Sequence, residues 1–203
     1  MMGRLDRDWA GRTVFCVGGG PSLKDFDFDR IRGRGIVVAI NDGARRLPWA
    51  DVVFSIDTVW MRQREAFLRE WPQEAVLAVP FNYARFLPRV RYIHRTPGGG
   101  INHDPTRLCV GGNSGFGALG MAVARGASRI GLLGYDMNSP GQHWHRGYEW
   151  APRTGSAADM AGWAYLFGSI ARVTRRTRQR VINCNPASAI RCFPFGQPED
   201  IAE

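Results

Sequence analysis

Lysine is almost absent from this 203-residue chain: Lys24 is the only one among 27 basic residues. The formal net charge of +9 therefore rests on arginine. Guanidinium groups bind anions bidentately, so nucleotides, nucleic acids and anionic glycans are the partners such basicity favours. A GC-rich genome also raises arginine at lysine's expense, and charge alone does not establish nucleic-acid binding. No run of about 18 apolar residues occurs, so no segment should span a bilayer. The opening stretch from Met1 to Trp9 is too charged for a signal-peptide core. Cysteine is sparse: Cys16, Cys109, Cys184 and Cys192 are scattered without CxxC spacing. That pattern points to reduced thiols in a cytoplasmic protein rather than to zinc or disulfides. There is no internal repeat and no low-complexity tail. With 44% hydrophobic and 22% charged residues, the chain has the make-up of one globular domain, residues 1–203.

What is present is most informative at Thr13-Val14-Phe15-Cys16-Val17-Gly18-Gly19-Gly20-Pro21-Ser22-Leu23. A β-branched and aromatic run ends in three glycines and then a proline suited to a first helical turn. Glycine lets backbone approach a ligand, and the free N–H groups of a following helix attract anions. The run fits neither GxGxxG nor GxxxxGK[ST], so it is neither the dinucleotide fingerprint nor the P-loop. Read functionally it is an anion site; read structurally it is a glycine-rich turn.

Strand-like runs fall at 13–17, 36–40, 52–56, 75–79, 90–93, 129–133 and 180–183. Helices are expected at 23–31, 59–71, 114–125 and 156–175, with a shorter turn at 42–46. Strand–helix alternation of this kind predicts an α/β fold. It is a single Rossmann-like domain with a mainly parallel sheet and helices on both faces. Residues 80–112 carry four prolines and a glycine triplet and read as a loop or lid insertion. A second loop covers 138–155, and the segment 183–195 is expected to pack along the end of the sheet.

Right-handed crossovers gather the loops after the strands along one edge, where such folds bind ligands. Several polar clusters fall there: Gly18-Gly19-Gly20-Pro21-Ser22, Asn41-Asp42, Asp57-Thr58, Gly134-Tyr135-Asp136 and Asn183-Cys184-Asn185. Asn113-Ser114-Gly115 opens a helix toward the same edge. Singly these are ordinary caps and turns; together they predict a polar pocket. Two helix starts, at Pro21-Ser22 and Ser114-Gly115, would offer it N–H groups. Asn41 and Asn113 offer both donors and acceptors, as a ribose or base edge requires.

His143-Trp144-His145 is the other feature with chemical potential. Alternate residues of an extended segment point the same way, so the two histidines could share a proton, share a metal or simply pack. A metal would need a further ligand such as Asp136 or Glu149. His94 and His103 have no such partner and read as surface residues. Arg172, Arg175, Arg176, Arg178 and Arg180 form a basic cluster. It is either a solvated helix end or a contact for nucleic acid. Trp163, Tyr165 and Phe167 read as core packing, on a helix whose first half follows no single face and should be buried on more than one side.

Gly18-Gly19-Gly20-Pro21-Ser22-Leu23-Lys24, followed by Asn41, resembles the opening of the bacterial family 42 sialyltransferases. Ser114-Gly115, the helix to Gly126-Ala127 and the strand into Gly134-Tyr135-Asp136 look like a second block of that family; residues 180–185 look like its last strand. The same blocks recur in the motility-associated flagellin glycosyltransferases and the 6-hydroxymethylpterin diphosphokinase-like family, and small phage-encoded proteins look similar. The resemblance covers both ends of the chain but not residues 80–112. It implies a transferase whose Gly18–Ser22 loop, Asn41 and Ser114 contact a nucleotide or nucleotide-sugar, with Gly134 and its neighbours against it. The family's central asparagine is Gly19 here, and its catalytic histidine aligns near Thr154-Gly155, leaving His143 or His145 to replace it. A diphosphokinase-like member would instead place Asp57 and Asp136 to hold magnesium–triphosphate. A third reading is a binding module that kept the pocket and lost the chemistry.

Overall fold

A computed structural model describes residues 2–141, 143–145 and 155–202. Eight strands form one sheet: β1 (Thr13–Val17), β2 (Ile36–Ile40), β3 (Val52–Ser55), β4 (Glu74–Val79), β5 (Val90–Thr96), β6 (Arg107–Cys109), β7 (Arg129–Leu133) and β8 (Arg180–Asn183). Their order is β6-β5-β4-β3-β2-β1-β7-β8, and every neighbouring pair is parallel. The helices are α1 (Gly43–Arg46), α2 (Thr58–Gln63), α3 (Glu65–Glu70), α4 (Ser114–Ala124), α5 (Ala157–Thr177) and α6 (Glu199–Ala202).

The period of two along each strand divides the core. Val14, Cys16, Val38 and Phe54 face α4 and α5, packing with Phe116, Leu119 and Phe167. Phe15, Val17, Val37 and Val53 face the opposite layer, with Trp60, Met61, Leu68 and Ile201 from α2, α3 and α6. This is the expected α/β architecture with helices on both faces. Central strands buried on both sides read as the unbroken apolar runs seen in the sequence. Gly115-Phe116-Gly117-Ala118-Leu119-Gly120 also spells GxGxxG, but it lies inside α4. There it admits close packing: a Cβ on Gly117 would sit 3.0 Å from the Phe54 ring.

Three expectations are corrected. Residues 23–31 form no α-helix; two 3-10 turns, Pro21–Leu23 and Phe28–Arg30, stand in its place. The Asp27 carboxylate accepts from the Asp29 N–H and starts a new turn, which is how aspartate competes with a helix. The helix expected at 59–71 breaks at Arg64, whose guanidinium reaches across to Asp42 at 2.9 and 3.0 Å. Residues 80–112 hold all of β5 and the edge strand β6, a run of three residues too short for periodicity to reveal. Their glycine triplet is fastened to α5, the Gly100 N–H donating to Ser169 Oγ at 2.7 Å.

The long α5 also differs from expectation. It opens with a capping box between Ser156 and Asp159. Phe167 is buried, but Tyr165 is 86% exposed, and positions 157, 158, 161 and 162 are exposed as well. Residues 163 and 167 share one face of a helix; 165 lies on the far side. The segment 183–195 does pack at the sheet's end: Asn183 bridges Phe195, and Ile190 and Phe193 enter the core. The four cysteines are free; burial pushes the Cys16 and Cys184 thiols up to about 12, which leaves them unreactive.

Candidate functional site

β1 and β7 are neighbours whose connections leave in opposite directions, which opens a crevice beyond their carboxyl ends. A cavity of about 440 Å³ lies there. It is lined by Gly18, Gly19, Gly20 and Pro21 after β1, and by Asn41 after β2. Asp57 after β3, Asn113, Ser114 and Gly115 at the start of α4, and Gly134, Tyr135 and Asp136 after β7 complete the predicted set, with His143. Asn41 and Ser114, far apart in sequence, thus share one cavity. Ser22, Asp42 and His145 do not line it. Arg95, Met160 and Trp163 do, and the sequence marked none of them as a site residue. Arg95 lies beyond the apolar run that marked its strand, and Trp163 was read as core.

The glycine turn is packed against its own chain. Gly18 N–H donates to Leu133 O, and Gly20 N–H to Gly134 O, both at 2.8 Å. Asp136 accepts from Ser22 N–H at 2.8 Å, from Ser22 Oγ at 2.5 Å and from Asn185 Nδ2 at 2.7 Å. The anion held by this turn is therefore the protein's own carboxylate. Each glycine has a steric reason. A Cβ on Gly18 would lie 2.7 Å from Gly134 O, and one on Gly20 would lie 2.5 Å from the Asp136 carboxyl carbon. A Cβ on Gly19 would meet His143 Nδ1 at 2.7 Å. The imidazole fills the space a side chain at position 19 would take.

The remaining predicted residues divide by what holds them. Asn41 adopts a positive φ of 53°, and its Oδ1 is buried with no hydrogen-bond partner among the described residues. Asn113 caps α4, accepting from the Phe116 N–H at 3.0 Å. Ser114 Oγ accepts from the Ile56 N–H at 3.4 Å. Asp57 caps α2, accepting from the N–H groups of Val59 and Trp60. Asp42 turns away to Arg64 and to the Trp60 indole N–H at 2.9 Å; these donors hold its carboxyl below the usual range against the opposing effect of burial. Tyr135 is buried and donates its hydroxyl to Gly115 O at 3.0 Å, tying the β7 loop to α4.

His143 and His145 stack with ring centroids 5.0 Å apart and planes 7° from parallel. Trp144 points the other way, its indole donating to Gly18 O at 2.8 Å and packing on Phe28. His143 reaches the cavity wall; His145 is buried behind it, 5% exposed. His143 Nδ1 lies 3.2 Å from Gly19 O. The tautomer assigned from that contact donates from Nδ1 and carries the lone pair on Nε2. Burial lowers the His143 pKa from 6.5, partly offset by the Gly19 carbonyl, so the ring is neutral at pH 7. The site accordingly holds a base. Gly19→Ala should displace this ring, and with it any activity that depends on the imidazole, while costing at most about 1–2 kcal/mol of stability, because a side chain can yield where backbone cannot. Enzyme assay beside urea unfolding checks this; equal loss in both would place the clash in the backbone.

As for a metal, Asp57 and Asp136 already accept from donors within the chain, and Glu149 lies outside the described residues, as does Thr154. Among the described residues no group of three His, Cys, Asp or Glu side chains is gathered. The donor set does not fit a magnesium–triphosphate. The five arginines at 172, 175, 176, 178 and 180 are exposed and, among the described residues, form no ion pair. Because α5 runs into the start of β8, its end lies at the amino edge of the sheet. The cluster and the cavity thus lie at opposite edges of the sheet. Among the described residues no helix is long and apolar enough to cross a membrane.

No known protein family and no curated protein matches this sequence. Solved structures do resemble it. The MAf glycosyltransferase from Magnetospirillum magneticum AMB-1 superposes with a TM-score of 0.66 at 16% identity, over 98% of this chain. This chain spans only 35% of that protein's length. The sialyltransferase CstII from Campylobacter jejuni, bound to cytidine-5'-monophosphate, gives 0.55 at 14% identity over 92% of this chain and 85% of its own. Sialyltransferase CST-II with a trisaccharide acceptor and CMP gives 0.55 at 14% identity, over 94% of this chain and 88% of the other. At such identity the likeness shows the fold: this chain has the Rossmann-like α/β fold found in these glycosyltransferases.

Proposed function

We propose that the chain is a glycosyltransferase-like enzyme that binds a nucleotide-linked donor in the cavity between β1 and β7. The observation that carries this reading is the convergence of Asn41, Ser114 and His143 on one cavity at the topological switch point. Asn41 Oδ1, buried without a partner among the described residues, accepts a hydroxyl or amide hydrogen from the ligand. The first N–H groups of α4 face the same space and favour an anion as charge develops on the leaving nucleotide. Neutral His143 takes the proton of the acceptor hydroxyl as the new bond forms. The fold shared with nucleotide-using glycosyltransferases supports this reading. Diphosphokinase chemistry is not favoured, since the two carboxylates it needs are engaged by the chain's own donors.

A thermal-shift panel of CMP, UDP, GDP, ADP and ATP, each with and without magnesium, tests it. Stabilisation by a nucleoside mono- or diphosphate without need of magnesium is the expected result. Stabilisation by magnesium–ATP alone would move the assignment to phosphoryl transfer, and silence throughout to a module with no nucleotide chemistry.

A further inference from the structure

We propose that Arg95 is the phosphate-binding side chain of the cavity, so that the ligand's phosphate sits at the Arg95–Ser114 corner and not over the glycine turn. This rests on the nucleotide reading and adds a residue and a location to it. The glycine turn is a poor phosphate cradle here. The N–H groups of Gly18, Gly20 and Ser22 already have acceptors, Pro21 has none to offer, and the Asp136 carboxylate sits among them. A phosphate placed there would meet a fixed negative charge.

The Arg95 corner has the opposite character. Arg95 is half-buried in the cavity wall and uses Nη1 to donate to Ile56 O at 2.8 Å. Three other shielded arginines are matched with acids: Arg64 with Asp42, Arg125 with Asp8 and Glu74, Arg30 with Glu199. Arg95 forms no ion pair among the described residues. A guanidinium drawn partly out of water without a carboxylate is costly, and an anion arriving with the ligand relieves that cost. Ile56 sets the location. Its carbonyl takes the Arg95 bond while its N–H donates to Ser114 Oγ, so both side chains are pinned to one residue of the cavity wall. Asn113 engages the Phe116 N–H, leaving those of Ser114 and Gly115 without an acceptor among the described residues. Arg95 thus adds full charge and a planar fork of donors beside them, the geometry that suits a phosphate.

Calorimetric titration of the full chain with cytidine, CMP, uridine, UDP and inorganic pyrophosphate tests this in the wild type, Arg95→Gln, Arg95→Lys and Asn41→Gly. Arg95→Gln should weaken each phosphate-bearing ligand about tenfold to a hundredfold and leave nucleoside affinity unchanged. Arg95→Lys should recover part of the loss, and Asn41→Gly should weaken nucleoside and nucleotide alike. Glycine accepts the positive φ at that position without strain. If Arg95→Gln keeps the wild-type gain from phosphate, or loses nucleoside affinity equally, the role of Arg95 is overturned while the nucleotide reading stands. If pyrophosphate binds through Arg95 and no nucleoside or nucleotide adds to it, the corner stands and the nucleotide reading falls. If the wild type binds none of the five, and neither GDP nor ADP, both fall.

Discussion

Replacing His143 with alanine should lower the rate of the proposed glycosyl transfer by about 10²–10⁴-fold, the usual loss when a general base is removed. Nucleotide affinity should change little. The ring forms one wall of the cavity, and Asn41, Ser114 and Arg95 are held by elements that do not depend on it. His145→Ala should cost less, because that imidazole is buried behind the first and positions it by stacking. The rate profile supplies an independent readout. Burial lowers the His143 pKa from 6.5, so the acid limb should fall below that value and vanish in the alanine variant. The sign for stability follows from the same shift. As pH drops below 6.5 the unfolded chain takes the proton first, so stability conferred by the neutral ring at higher pH is lost as pH falls through the folded value. Full turnover in His143→Ala, measured as nucleotide release from a sugar donor of the nucleotide that gives the largest thermal shift, would end the assignment.

Asp136→Ala should destabilise the chain by about 3 kcal/mol or more, read as a lower urea midpoint. One buried carboxylate gathers Ser22 N–H, Ser22 Oγ and Asn185 Nδ2, and so joins the turn after β1 to the loops after β7 and β8. Removing it leaves the buried Asn185 amide unpaired, which costs more than its bond contributes, and releases the more exposed Ser22 donors from the tie between the loops. Asp136→Asn should fall between, since an amide nitrogen would face at least one of these donors. A loss below about 1 kcal/mol for the alanine variant would show that water replaces the carboxylate. The metal reading of Asp136 predicts the reverse order of effects: little change in stability and a loss confined to metal-dependent binding.

The sheet was legible in the sequence because its central strands are buried on both faces. Runs such as Val14-Phe15-Cys16-Val17 and Ile36-Val37-Val38-Ala39-Ile40 have few other ways to bury so much apolar surface. The polar clusters after them were legible for a related reason: a parallel sheet puts every strand's carboxyl end on one edge, so Asn41, Ser114 and Gly134 had to approach one another. What each cluster does there was decided by tertiary packing. Nothing local to Asp42 or Asp136 tells a ligand contact from an internal tie. Arg64, over twenty residues on, claims the first, and Ser22 and Asn185 claim the second. Gly19 looked like room for a ligand and proved to be room for His143, which loops back from beyond β7. Arg95 carried no signal at all, because it follows the apolar part of its strand. Only register beside β3 and β4 brings it to Ile56. Periodicity and turn chemistry are local and survive in a one-dimensional reading; hydrogen-bond partners and charge matching are settled between distant segments, and so appear only once the chain is folded.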